Sequence, residues 1–415
     1  MVTFLLSAIN VILLLYLFYK CIKNRYDSAV LYYCLISLYF INFPLFYDSL
    51  MIISNGVNSW ETTLMDVHKY WSNGTLKNID SIARCSLVFN CCFLFTYYVV
   101  NRKALKENVL VYRDLSKTTL RTLSWKRCFL FSYVGLVMFM IYNQISSFSM
   151  MEVGEWYENR SGSHVLALLS SLLVPIMSVG VIRLCYSKDF IRGGLVILPV
   201  LVIGIFTGAR SQIIPVVFYF LFYFLWANPR FRLRNILLSG GIVFLLIYLM
   251  TITREDVAAL YPIYKDWAYV DLFYVFDNGT AISTRGLNTL TMIARDFMPV
   301  QVQDITTVVA DSKFGAGWGT LHPSLLGWAY VDLLDYYWIL AIFFGLFVAV
   351  YDRLRHYMST LIYFLFMSYE FAFLAIAIRG SVKFAYSQLL YPFFILIFLF
   401  ILDKTKLIKC HYIKQ

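Results

Sequence analysis

The sequence predicts an all-α polytopic membrane protein of about 11 transmembrane helices carrying one large loop, and three observations lead there. Of 415 residues, 60% are hydrophobic and 14% charged, with a mean hydropathy of +0.69. Apolar runs of about 18 residues or more recur along the chain, long enough to cross a bilayer as helices. These runs are continuous and do not alternate apolar with polar residues, which excludes a membrane β-barrel. The remaining charges alternate between basic and acidic connecting segments, so the net charge of +11 sets orientation and does not mark a nucleic-acid surface. Residues 1–415 read as a single transmembrane domain, with residues 254–322 inserted as a loop between the eighth and ninth spans.

The first run, Val2–Tyr19, has no basic segment before it and no small-residue cleavage site after it, so it reads as a span and not a removable signal. Lys20, Lys23 and Arg25 follow it, placing that end in the cytoplasm and the N-terminus outside. Span two covers Ala29–Ile53, with Pro44 and Asp48 late in it, where a kink and a charge cost less. Span three, Ile79–Val100, returns to the strongest basic stretch: Arg102, Lys103, Lys106, Arg113, Lys117, Arg121, Lys126 and Arg127 against Glu107 and Asp114. That stretch fixes the register of the others.

Spans four (Cys128–Phe148) and five (His164–Cys185) flank an acidic outward turn, and Lys188 and Arg192 mark the inside again. Span six ends outward at Gly208-Ala209-Arg210, span seven returns to Arg230, Arg232 and Arg234, and span eight (Ile236–Thr253) exits at Arg254-Glu255-Asp256. The loop from 254 to 322 is too long for a plain connection and too aromatic for disorder. Inside it Arg285–Phe297 reads as an interfacial amphipathic helix. Leu287, Leu290, Ile293, Ala294 and Phe297 share one face, and Arg285, Asn288, Thr289, Arg295 and Asp296 the other. A helix packed on the protein's own outer surface would show the same pattern.

Asp332 and Asp335 delay span nine to Tyr336–Tyr351, leaving 323–335 as a re-entrant or surface segment. Arg353, Arg355 and His356 lie inside. Span ten (Tyr357–Ile378) carries Glu370, expensive there unless paired or neutral and read as a structural hydrogen-bonding group. It turns outward at Arg379-Gly380-Ser381, and span eleven (Phe384–Leu402) leaves Lys404, Lys406 and Lys409 in the cytoplasm. The eight cysteines avoid the outward loop and show no ligand spacing, so neither a disulfide framework nor a metal site is expected.

Arginine near the bilayer core costs about 2.5–3.5 kcal/mol, so Arg210, set between two apolar runs, needs a polar partner or a wet cavity. With Arg254, Arg285 and Arg379 it falls on the outward side, at helix ends or on the interfacial helix. Fixed charge and a planar fork suit these side chains to a phosphate or pyrophosphate; any one of them alone would also serve as a headgroup anchor or ion pair. Glu255, Asp256, Asp266, Asp271, Asp277 and His322 are candidate general bases for deprotonating a hydroxyl, and residue types alone do not choose among them. The outward aromatics, Tyr261, Trp267, Tyr274 and Trp318 among them, suit an interfacial belt or stacking on sugars.

Several of these features together resemble the Wzy-type O-antigen (oligosaccharide repeat-unit) polymerases. They are the Thr207-Gly208-Ala209-Arg210-Ser211 turn between two spans, the long loop opening at Arg254, the segment from Pro323 to Gly345 and the late Arg379-Gly380. The resemblance implies a multi-pass glycosyltransferase of the GT-C type in the bacterial inner membrane, with the N-terminus periplasmic and the C-terminus cytoplasmic. It would join undecaprenyl-pyrophosphate-linked oligosaccharide repeat units at the periplasmic face, in lipopolysaccharide O-antigen biosynthesis. Arg210, Arg254, Arg285 and Arg379 would bind the diphosphate, with Asp256 or His322 as base. Cations and one base suffice for a sugar already activated by a diphosphate, so no cofactor and no metal are expected. Membrane lipids and a chain-length regulator protein complete the expected partners. An O-antigen ligase has nearly the same parts, and a lipid-linked oligosaccharide flippase or transporter would hold its charges near the midplane.

Overall fold

A 22-residue apolar helix rising 1.5 Å per residue is about 33 Å long, enough to cross a hydrocarbon core. In the computed structural model helix α1 (Val2–Lys23) has that length. The structure describes residues 2–26, 28–55, 78–111, 190–207, 269–289, 305–315, 321–358 and 360–380, with isolated residues at 129–130, 133–134, 137, 393, 397 and 401. Helices α2 (Ala29–Ser37) and α3 (Phe43–Asn55) flank a π-helical turn at Leu38–Asn42. Then come α4 (Ile79–Lys106), α5 (Phe190–Thr207), α6 (Val270–Ile282), α7 (Ile305–Phe314), α8 (Ser324–Leu333), α9 (Tyr337–Tyr357) and α10 (Thr360–Arg379).

Among the described residues, four stretches are long and apolar enough to cross a membrane: Val2–Lys23, Ala29–Ser54, Ile79–Lys106 and Ser324–Tyr357. They match expected spans one, two, three and nine; α5 and α10 are helices at spans six and ten. Spans four, five, seven, eight and eleven lie wholly or largely outside the described residues. The chain divides into two compact units, one of Met1–Val111, Ile263–Arg353 and Phe373–Ser387, the other of Tyr112–Pro262, Leu354–Ala372 and Gln388–Gln415.

In the first unit α1 turns its polar residues inward. Ser7, Asn10, Val11, Leu14, Leu17 and Cys21 are buried at helical spacing, while Ile9, Ile12, Leu15 and Tyr16 are exposed, the pattern of a helix whose outside faces lipid. Asn10 donates to Asn42 at 2.6 Å and to Ser86 at 3.1 Å, and Asn90 donates back to Asn10 at 2.9 Å. Tyr33 donates to Asn90 and closes this buried network. With each polar group partnered, the network locks α1, α2 and α4 to one another instead of costing stability.

The π turn follows from Pro44. A proline has no N–H for the carbonyl four residues back, and its ring crowds that carbonyl. The helix widens here, Phe43 N bonding to Leu38 O, and the freed carbonyl of Phe40 accepts the backbone N–H of Tyr269 at 3.2 Å. Tyr269 also donates its hydroxyl to the buried Asp48. The charge expected to be cheap near the outer end of span two is therefore fully buried and docks the loop.

Ser324–Tyr357 is not one straight crossing. Along a straight helix Trp328 and Phe344 would be about 24 Å apart. Their rings lie 6.5 Å apart, and those of Tyr330 and Tyr337 6.4 Å, because the chain reverses at Leu334, whose φ is 51°. Helix α9 runs through the bundle, and α8 is a half-length arm folded back beside it.

In the second unit Arg355 Nε stands 3.2 Å from Glu370 Oε2, with both side chains fully buried. The Arg355 guanidinium carbon lies 4.8 Å from the Tyr363 ring centroid, and His356 meets that ring edge-on. Arg355 and His356, read from the sequence as marking the inside, are buried, and Glu370 is paired with an arginine.

Candidate functional site

Residues 254–322, expected as one loop, carry helices α6 and α7. Helix α6 packs beside α8 in the same direction. Leu272 fills the space over Gly327, Phe276 stacks on Tyr330 at 4.1 Å, and Gly279 sits so close to Tyr330 that an added Cβ would come within 2.6 Å of the ring. Farther along, Thr284 N bonds to Val331 O and Gly286 N to Asp332 O. Helix α7 returns alongside, with Tyr274 hydroxyl 2.8 Å from Ser312 Oγ and Leu321 N donating to Thr306 O.

Helices α6 and α8 begin partway across the bundle. Leu325 and Leu326 share a cavity of about 10 Å³ with Tyr33, Ser37, Phe89 and Asn90. Phe89 and Asn90 lie about 15 Å along α4 from its start, so the first turn of α8 is near the middle of a crossing. At that depth the last residues of α10 meet the start of α8. A Cβ on Gly380 would lie 2.5 Å from Ser324 N and 2.9 Å from the His322 carbonyl carbon. Gly380 has φ +115° and Ser324 has φ 63°, conformations that a contact this close imposes.

Asp271, in the first turn of α6, is the acid of this junction. Lys313 Nζ is 3.7 Å from its carboxylate, the backbone of His322 donates to it, and Arg379 acts on it electrostatically. Lys313 Nζ is buried and also stands 5.5 Å from the Tyr274 ring centroid. Burial pushes the Asp271 carboxyl above its usual range, against the opposing pulls of Lys313, His322 and Arg379. Burial likewise pushes Lys313 down, against the pull of Asp271.

The signs follow from linkage. A carboxyl raised in the fold stabilises it fully below 3.8 and loses that contribution as pH rises through the raised value; a lowered lysine contributes above 10.5 and loses it as pH falls. Lys313→Met removes the largest charge favouring ionised Asp271, so its carboxyl should rise further. Thermal melts in detergent over roughly pH 4 to 8 should show the variant losing more Tm with rising pH than the parent protein, and Asp271→Asn should cancel the extra slope. Parallel melts of variant and parent would show that the pair is not coupled.

Of the residues singled out from sequence, Arg379 and His322 are brought together here. Arg285 is not. It is exposed in the turn after α6, with φ 50°, and α6 runs about 17 Å from Asp271 to Ile282 before that turn. Of the amphipathic helix expected over Arg285–Phe297, Arg285 lies in a turn, helical backbone is described at residues 287–289, and the rest falls outside the described residues. Its start is capped from outside: Asp332 accepts from Asn288 N at 3.3 Å, Thr289 N at 3.1 Å and Thr284 Oγ1 at 2.6 Å. Asn288, expected on the polar face, is buried, and Leu287 is exposed. Arg210, Arg254 and Asp256 lie outside the described residues.

Lys313 was missed because a lone lysine in a mixed segment carries no motif. Asp332 looked like an interruption of a span and is a cap. Among the described residues no three His, Cys, Asp or Glu side chains stand together as metal ligands, and Cys21, Cys34, Cys85, Cys91 and Cys92 are free thiols. Compared with models of protein families, with curated proteins and with solved structures, the chain matches none.

Proposed function

We propose that the protein is a lipid-linked oligosaccharide polymerase, a membrane glycosyltransferase acting on repeat units carried on undecaprenyl pyrophosphate. The observation that carries the reading is the junction of Arg379, His322, Asp271 and Lys313 where α6 and α8 begin inside the bundle. Non-helical backbone at such depth is tolerated where it is buried in protein or lines a wet cavity, and charges there mark a substrate path.

In this reading an acceptor sugar hydroxyl attacks the anomeric carbon of the growing glycan. A C–O bond forms there as the bond to the diphosphate breaks, the hydroxyl proton passes to a base, and the lipid diphosphate leaves with the bonding pair. Arg379 offsets the charge that develops on the leaving group, and His322 is the base candidate at this junction. Arg285 stands past the far end of α6 from this junction.

The depth of the junction also supports a second reading, a transporter of the same lipid-linked saccharide, since transporters hold substrate near the midplane at discontinuous helices. Lipopolysaccharide banding separates them. In a strain lacking the chain, core bearing a single repeat unit indicates the polymerase, and core without any unit indicates a transporter or a ligase. Arg379→Ala, at parental expression, should reproduce the single-unit pattern; a normal ladder from that variant would remove Arg379 from the site.

A further inference from the structure

Helices α1 and α4 end side by side, and by the same device. Arg25 (φ 54°) follows α1, with Tyr26 N bonding to Cys21 O and Arg25 N to Ile22 O; Asn108 (φ 53°) follows α4, with Val109 N bonding to Ala104 O and Asn108 N to Leu105 O. Both are Schellman caps, in which the last carbonyls of a helix are taken by the chain turning back under it. An isolated bridge from Tyr26 to Val111 ties the two caps together. The ends are therefore held, and the space between them is preformed.

That space is an open groove of about 350 Å³. Phe95, Tyr98 and Val99 line its wall, Tyr26 stands at the capped end, and Lys20 and Arg102 supply its charges. Phe95 is 72% and Val99 57% exposed, although both sit within a helix apolar and long enough to cross a bilayer, so acyl chains cover them. Lys20 and Arg102 are exposed as well, near the basic ends of the same two helices. No lining residue is acidic.

We propose that this groove binds an anionic glycerophospholipid from the adjoining leaflet, its phosphate between Lys20 and Arg102 and one acyl chain along Phe95 and Val99. The charge pattern selects the lipid. Cations clustered where helices leave a bilayer favour anionic over zwitterionic headgroups, and an aromatic wall beneath them gives the chain a fixed place. The site is separate from the junction at Asp271 and does not depend on the catalytic reading.

Native mass spectrometry of the full chain in detergent, with phosphatidylglycerol and phosphatidylethanolamine of matched acyl chains, tests the proposal. The parent protein should retain phosphatidylglycerol roughly tenfold or more over phosphatidylethanolamine. Lys20→Gln with Arg102→Gln should bring the two lipids near parity. Lys103→Gln with Lys106→Gln removes two exposed charges from the same end of α4 but outside the groove, and should leave the preference intact. Val99→Trp, filling the groove, should weaken retention of both lipids. Equal loss in both charge-neutralised pairs, or no preference in the parent, would overturn the site in favour of diffuse surface charge.

Discussion

Glu370→Ala is expected to destabilise the protein by about 3–5 kcal/mol, because it strips a carboxylate from an arginine buried with it. Tyr363, Phe366 and Glu370 are buried at positions i, i+3 and i+7 of α10, forming one stripe, and Arg355 lies against it, over the Tyr363 ring and 3.2 Å from Glu370. Desolvating a guanidinium is tolerable only with an opposing charge close by, and the aromatic face supplies a smaller share. Glu370→Gln keeps a hydrogen-bonding oxygen and should cost less. A buried ion pair is often no better than an apolar pair of the same volume, so Arg355→Met combined with Glu370→Leu should recover most of the loss. Unfolding followed in mixed micelles gives the cycle. If the double variant is no more stable than Glu370→Ala, the loss comes from packing around Glu370 and not from the stranded arginine.

The same pair shows where sequence reading stops. Glu370 was legible as a group in need of a partner, since a carboxylate within an apolar run has few alternatives. Its partner was not, because Arg355 sits beside Arg353 and His356 and looks like part of a solvated basic turn. Long apolar runs identified α1, α2–α3, α4 and α9 well, since crossing a bilayer leaves helices few other compositions. The half-length arms were harder. Helix α8 has the composition of the start of a span, and its reversal depends on one residue, Leu334, in a left-handed conformation that nothing in its side chain announces. Helices α6 and α7 are too short and too mixed for a hydropathy signal, and their depth is set by tertiary bonds, Tyr269 to Phe40 and Lys313 to Asp271. Arg379 and His322 were picked out for their chemistry alone; what joins them is a glycine.

Gly380→Ala should therefore be the most damaging conservative change at the junction. Two costs act together. Gly380 has φ +115°, which an L side chain adopts only with strain of about 1–3 kcal/mol. Its new Cβ would lie 2.5 Å from Ser324 N and 2.9 Å from both Pro323 N and the His322 carbonyl carbon, and these are backbone atoms that cannot swing aside. Overpacking of this kind adds about 1–3 kcal/mol where the structure gives way. The cheapest relaxation slides α10 away from the start of α8, which separates Arg379 from His322 and Asp271. If the proposed polymerase reading holds, the variant should thus lose function more completely than stability, producing a single-unit lipopolysaccharide pattern even when the protein is still recovered from the membrane. Gly194→Ala is the matched control: it lies inside α5 with nothing within 4 Å of the added Cβ, so the helix should gain up to about 1 kcal/mol. Should Gly380→Ala support a full ladder and melt with the parent, the close approach of α10 to α8 is not what assembles the site, and Arg379 and His322 would have to act separately.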